Sequence, residues 1–146
     1  MNETNLKELL QLETSTWDIY GLAAGKLHIT ENELWILLEI FETDPPLCQA
    51  DIARHLHLPV QTINSALSKM KKKGWLELIS MKNSSRSKGV VLTEQGAKEL
   101  STSIRKIQYA EQSALDSLGE ENARIMLACI RQYNARLKEE METAFN

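Results

Sequence analysis

The sequence predicts a mainly α-helical protein with one small β-hairpin, arranged as a central lobe flanked by long terminal helices. Three observations carry this expectation. Apolar residues recur at helical spacing along most of the chain. Residues 75–92 break that rhythm with two short apolar runs around a polar tip, the pattern of a hairpin. The first and last helices are apolar along one side, more than so small a lobe can cover. With 146 residues, 42% of them hydrophobic and 25% charged, the chain is globular in composition and suffices for a single domain over 1–146.

Each element has its own signal. Leu6, Leu9, Leu10, Trp17, Tyr20, Ala24 and Leu27 place a first helix over 6–27, closed by Gly25 and His28-Ile29. Thr30 with Glu33 three residues on is a capping box. The helix it opens carries Leu34, Leu37, Leu38 and Phe41 on one side and stops before Pro45-Pro46. A short third helix over 48–56 buries Ile52, Ala53 and Leu56. Pro59 fits the first turn of a fourth, where its missing N–H is no loss; that helix runs to Lys73 and stops at Gly74. Residues 75–81 read as a strand, 82–89 as a turn-rich tip and 90–92 as the returning strand. Thr93 caps a fifth helix over 94–115. Ser117 with Glu120 predicts another capping box, before a last helix with Ala123, Met126, Leu127, Ile130, Leu137 and Met141 on one stripe.

The net charge of −3 hides a strong asymmetry. Residues 54–88 hold Arg54, Lys69, Lys71, Lys72, Lys73, Lys82, Arg86 and Lys88 against one acid, Glu77, a net +7. The rest of the chain carries nine cations and nineteen acids. A concentrated positive block on an acidic body is the footprint of a polyanion-binding surface.

Within that block, Ile52, Ala53, Leu56, Leu58, Ile63 and Leu67 anchor two short helices joined by a tight turn, a helix-turn-helix. On its second helix Ile63, Ala66, Leu67 and Met70 share one face. Gln61, Ser65, Ser68 and Lys72 lie opposite, flanked by Thr62, Asn64 and Lys69. Short hydrogen-bonding side chains come first and lysines later, an order suited to base edges and then phosphates of double-stranded DNA. The hairpin tip adds Arg86, placed to enter a minor groove, with Lys82 and Lys88 for the adjacent backbone.

These stretches resemble the MarR family of bacterial transcriptional regulators. The resemblance runs from Ile29 to Gly96, about half the chain. It includes Ile29-Thr30 through Leu34-Trp35-Ile36-Leu37, the helix-turn-helix, Lys71-Lys72-Lys73-Gly74-Trp75-Leu76, and Val91-Leu92-Thr93-Glu94-Gln95-Gly96. It implies a winged helix-turn-helix lobe over 30–93 and a homodimer formed by terminal helices, 1–29 and 94–146. It also implies a sequence-specific regulator acting on a pseudo-palindromic promoter site. By position it makes Gln61, Thr62, Asn64 and Ser65 candidates for base contacts, Lys69 and Lys72 for phosphates, and Arg86 for the wing arginine. The sequence departs from the family pattern at Ser84, where an acid usually precedes the wing arginine. It departs again at His57, where the turn often has glycine, and at Ser65, where arginine is common.

The resemblance also raises effector control. Trp17, Tyr20, His28 and Trp35 are the candidates for a small-molecule pocket between the terminal helices and the lobe, weighed against service as core aromatics. Cys48 at a helix start is the candidate redox residue, weighed against a buried, unreactive cysteine, and Cys129 beside the last apolar stripe reads as a packing residue. His28, His55 and His57 do not form a metal-spaced cluster, so no metal and no cofactor are expected. No glycine-rich phosphate loop, nucleophile elbow or paired-carboxylate spacing points to an enzyme. No leader or membrane span is visible, which reads as cytoplasmic. The competing reading is a winged-helix module for protein–protein interaction. RNA is disfavoured by the lack of exposed aromatics for base stacking.

Overall fold

Capping and turn chemistry set the element boundaries. The computed structural model describes residues 3–44, 46–81 and 84–146, with the side chains of residues 3, 4, 42 and 84–87 outside that description. Its order is α1 (Glu3–Lys26), α2 (Glu31–Glu42), α3 (Gln49–Leu56), α4 (Val60–Lys72), β1 (Leu76–Met81), β2 (Ser84–Leu92), α5 (Glu94–Ser117) and α6 (Glu120–Ala144). The chain divides into two units, Met1–Arg105 and Lys106–Asn146.

The first unit is built on α2. The capping box forms as expected: the Thr30 amide donates to Glu33 Oε2 at 2.8 Å and the Glu33 amide to Thr30 Oγ1 at 3.3 Å. Such a cap stabilises a helix by about 1 kcal/mol. It also gives a partner to the Glu33 carboxylate, which is buried. Behind it Leu34, Ile36, Leu37, Ile52, Ile63, Leu67, Met70 and Ile104 are fully buried, and each contributes roughly 1.5–3 kcal/mol of apolar transfer. Glu39 Oε1 lies 2.6 Å from His55 Nδ1, a polar tie between α2 and α3 at the rim of this core.

β1 and β2 pair antiparallel, with Leu76 opposite Leu92 and Ser80 opposite Lys88, and the register shifts between Ser80 and Met81. A third rung comes from the segment before α3: Cys48 bridges Gly89, and the Val90 amide donates to Leu47 O at 2.9 Å. The base of the hairpin is thereby fastened to the start of the helix-turn-helix.

Three local expectations are corrected. β2 begins at Ser84, so most of the polar tip is strand: Gly89 and Lys88 pair with Ile79 and Ser80, and Ser84 with Met81 beyond the register shift. Pro59 is the N-cap of α4 rather than part of its first turn, with its carbonyl accepting from Thr62 and Ile63 at 2.9 and 3.2 Å. The second capping box does not form. α5 continues through Ser117, whose hydroxyl donates back to Ala114 O at 2.6 Å, and Gly119, at φ 76°, is the N-cap of α6. A glycine reaches that positive φ without strain, so the chain turns there and Ser117 stays helical.

The second unit contains the end of α5 and all of α6. No residue of α6 is buried within the chain; Ile125, Met126, Leu127, Ile130, Leu137 and Met141 are all exposed. Cys129, expected to pack, is exposed as well.

Candidate nucleic-acid interface

The turn between α3 and α4 depends on one residue. His57 sits in the left-handed region at φ 52° and ψ 34°, and its amide closes onto the last carbonyls of α3. The Leu58 amide follows, donating to Ala53 O at 3.0 Å. This is the position where glycine would be unstrained, and histidine holds it at some cost. The turn aims α4 so that Ile63, Ala66, Leu67 and Met70 are buried and the opposite face is open.

Of the eight candidate residues, Gln61, Asn64, Ser65, Lys69 and Lys72 share that open face on α4, and Thr62 is half-buried at its edge. They separate into two grooves. Gln61, Thr62, Ser65 and Lys69 line one with Thr30, Asn32 and Glu33 at the start of α2. Asn64 and Lys72 line the other with Gln49, Ser68, Lys71 and Leu78. Lys88 is exposed on β2, opposite Ser80. Arg86 lies on the same strand, with its side chain outside the described residues, and Lys82 lies outside them altogether.

Sequence reasoning missed Lys71 as a site residue. It follows Asn64 by seven positions and Ser68 by three, so the helical stripe that selected Asn64 contains it too. Its neighbour Lys73 is used differently, with its ammonium 4.3 Å from the Trp75 ring centroid.

A polar latch holds the wing and α4 together. Gly74, at φ 77°, ends α4, and the Trp75 amide donates to Met70 O at 3.0 Å. Thr93 then binds this turn twice: its amide donates to Trp75 O at 2.9 Å and its hydroxyl to Gly74 O at 2.5 Å. The same hydroxyl oxygen accepts from the Gly96 amide at 2.9 Å, so Thr93 also caps α5. Glu99 accepts from Trp75 Nε1 at 2.7 Å and from Gln95 Nε2 at 2.8 Å, and these bonds, Gln95 foremost, hold its carboxyl below the usual range.

At the other end of the helix-turn-helix, Cys48 is half-buried and its thiol donates to Asp51 Oδ2 at 3.0 Å. Asp51 also accepts from Arg54 at 2.7 Å, and these partners, Cys48 first, lower its pKa. Of the aromatic candidates the fold unites two: the rings of Tyr20 and Trp35 meet with centroids 4.2 Å apart and planes tilted by 42°, while Trp17 and His28 are exposed. His28 shares with His57 a positive φ, 53°. Among the described residues no group of three or more histidines, cysteines or carboxylates could hold a metal ion. No described helix is long and apolar enough to cross a membrane.

Comparison with known proteins agrees with this geometry. A family described as winged helix-turn-helix DNA-binding matches residues 30–77. A MarR family regulator from Neisseria meningitidis superposes with a TM-score of 0.78 at 18% identity, covering 97% of this chain and 98% of that one. The chain has the winged helix-turn-helix fold of MarR regulators. The MepR–DNA complex of S. aureus gives a TM-score of 0.68 at 20% identity, over 94% of this chain and 98% of that one. A MarR protein from Peptoclostridium difficile gives 0.71 at 16% identity, over 96% and 91%. A search of curated protein sequences returns no match. In the terms of this fold, α3 and α4 are the helix-turn-helix, β1 and β2 the wing, and the Thr93 latch the joint between winged lobe and α5.

Proposed function

We propose that this protein is a cytoplasmic MarR family transcriptional regulator. It binds double-stranded DNA sequence-specifically, as a homodimer on a pseudo-palindromic promoter site, without catalysing a reaction. The observation that carries the reading is the open face of α4, where amides and hydroxyls give way to Lys69, Lys71 and Lys72, beside a wing bearing Arg86 and Lys88. Gln61, Thr62, Asn64 and Ser65 contact base edges, Lys69 and Lys72 grip phosphates, Arg86 enters the minor groove and Lys88 holds the backbone beside it. A module serving only protein contacts has no use for this order of side chains.

Dimerisation follows from unsatisfied apolar surface. α1 leaves Leu6, Leu10, Leu12, Trp17, Ile19 and Leu22 between 51% and 73% exposed, and α6 presents its own apolar stripe. Faces of this size are covered in solution, and a second copy brings the same faces. Effector control enters through Tyr20 and Trp35, where α1 meets α2. A small molecule parting those rings would shift the helix on which the helix-turn-helix rests, and saturating binding that alters duplex affinity is its test.

Sedimentation of the protein alone and with a duplex of its own promoter tests the assembly. Two chains in the free species and two per bound duplex are expected. A monomer at micromolar concentration in both states contradicts the homodimer.

A further inference from the structure

The exposed surface of α4 has a chemical bias. Its first nine residues present Val60, Gln61, Asn64, Ser65 and Ser68 to solvent, and the first cation on the helix is Lys69, the tenth residue. There is no arginine on the helix and no lysine before Lys69. Gln61 and Asn64 are both exposed, and among the described residues nothing hydrogen-bonds the side-chain amide of either. They stand about 60° apart around the helix axis, one over each groove flanking the α4 ridge.

In the major groove the four base pairs present different edges. Guanine offers two acceptors, O6 and N7, which a guanidinium or ammonium satisfies; adenine offers an acceptor and a donor, N7 and N6, which a carboxamide satisfies with two bonds. Thymine adds a methyl group that takes an apolar contact. A carboxamide pair with an exposed valine beside it, on a helix with no arginine and with its lysines confined to the C-terminal end, matches adenine and thymine more closely than guanine.

We propose that α4 reads A·T base pairs: Gln61 and Asn64 each hold one adenine through N6 and N7, and Val60 lies against a thymine methyl. This rests on the reading of the protein as a duplex-binding regulator. Lys69, Lys71 and Lys72 bind phosphate at the far end of the helix and add affinity without base preference. The half-site core is thus A·T in composition for a reason carried by α4 itself, separate from any minor-groove preference of Arg86.

The test is selection of duplexes from a randomised library by the full-length protein, followed by titration of the selected site. Enrichment of A·T pairs at two or more core positions in each half-site is expected. Asn64→Ala and Gln61→Ala should each relax one of these positions, with a loss of about 5- to 150-fold on the selected site and little change on random duplex. Replacing the core adenines by 7-deazaadenine removes N7 from the major groove alone and should weaken binding at least about fivefold. Enriched G·C pairs at the core, or an A·T core indifferent to both variants and to 7-deazaadenine, would overturn the inference and leave a DNA-binding regulator that reads its site by other means. Retention of no duplex at low salt would overturn the proposed function and this inference together.

Discussion

Gly96 approaches Trp75 so closely that a β-carbon on Gly96 would stand 2.1 Å from the Trp75 carbonyl oxygen. That carbonyl already accepts from the Thr93 amide and belongs to the turn that ends α4. The start of α5 is thus pressed against the base of the wing by backbone on both sides, and neither side can yield by rotating a side chain. Gly96→Ala is expected to destabilise the chain by about 1–3 kcal/mol, as overpacking does. Chemical denaturation checks this through the midpoint at unchanged slope; a midpoint equal to that of the parent protein would contradict it.

His57 yields the opposite prediction. Its φ of 52° strains a residue that has a β-carbon, and its side chain is exposed. His57→Gly removes the strain at the cost of unfolded-state entropy, for a net gain of up to about 1 kcal/mol. His57→Val, branched at the β-carbon, should instead lower the thermal midpoint. A stabilising valine would show that the turn does not need the left-handed conformation.

These two positions also show what was legible in the sequence. The capping box of Thr30 and Glu33 is legible because it depends on two residues three positions apart, whereas His57 stands out only against the glycine that the resembled family often carries there. The latch was visible only as a string of residues, Lys-Gly-Trp and Thr-Glu-Gln-Gly, about twenty positions apart; their meeting depends on the hairpin between them. Ser117 misled for a related reason. A serine three residues before a glutamate satisfies a capping pattern, but Gly119 offers a cheaper place to turn, and the serine remains in α5. The strand character of Ser84–Leu92 comes from pairing with β1, which polar residues do not announce. Lys71 was passed over although its helical spacing matched that of Asn64. The division of the open α4 face between two grooves depends on α2 and β1, which no local pattern supplies.

Lys69 and Lys72 are expected to act through charge alone. Lys69→Ala and Lys72→Ala should each weaken binding to specific and random duplexes by similar factors. Each should also reduce the slope of log K against log salt by about 0.9. Titration at four salt concentrations gives the slope directly. A loss confined to the specific site would move these lysines from phosphate to base contacts.

Two carboxyls tie stability to acid. Asp51, bonded first by Cys48 and then by Arg54, and Glu99, bonded by Gln95 and Trp75, both titrate lower in the folded chain than in the unfolded one. Their contribution is complete above the unfolded carboxyl range, about pH 4, and is lost as pH falls through the lower folded values. Denaturation midpoints followed from pH 6 to pH 2.5 should therefore fall in acid, and Glu99→Gln should flatten part of that fall. An acid limb identical in the variant would remove Glu99 from the account.

The central claim is that α4 and the wing read a particular duplex. The most direct measurement titrates the protein into a fluorescent duplex carrying the promoter of its own gene, beside a scrambled duplex of the same composition. Two salt concentrations are used, and Arg86→Ala is run in parallel. Tight binding to the promoter is expected, with weak binding to the scrambled duplex and loss of affinity with added salt and with removal of Arg86. No binding to either duplex at low salt would contradict it.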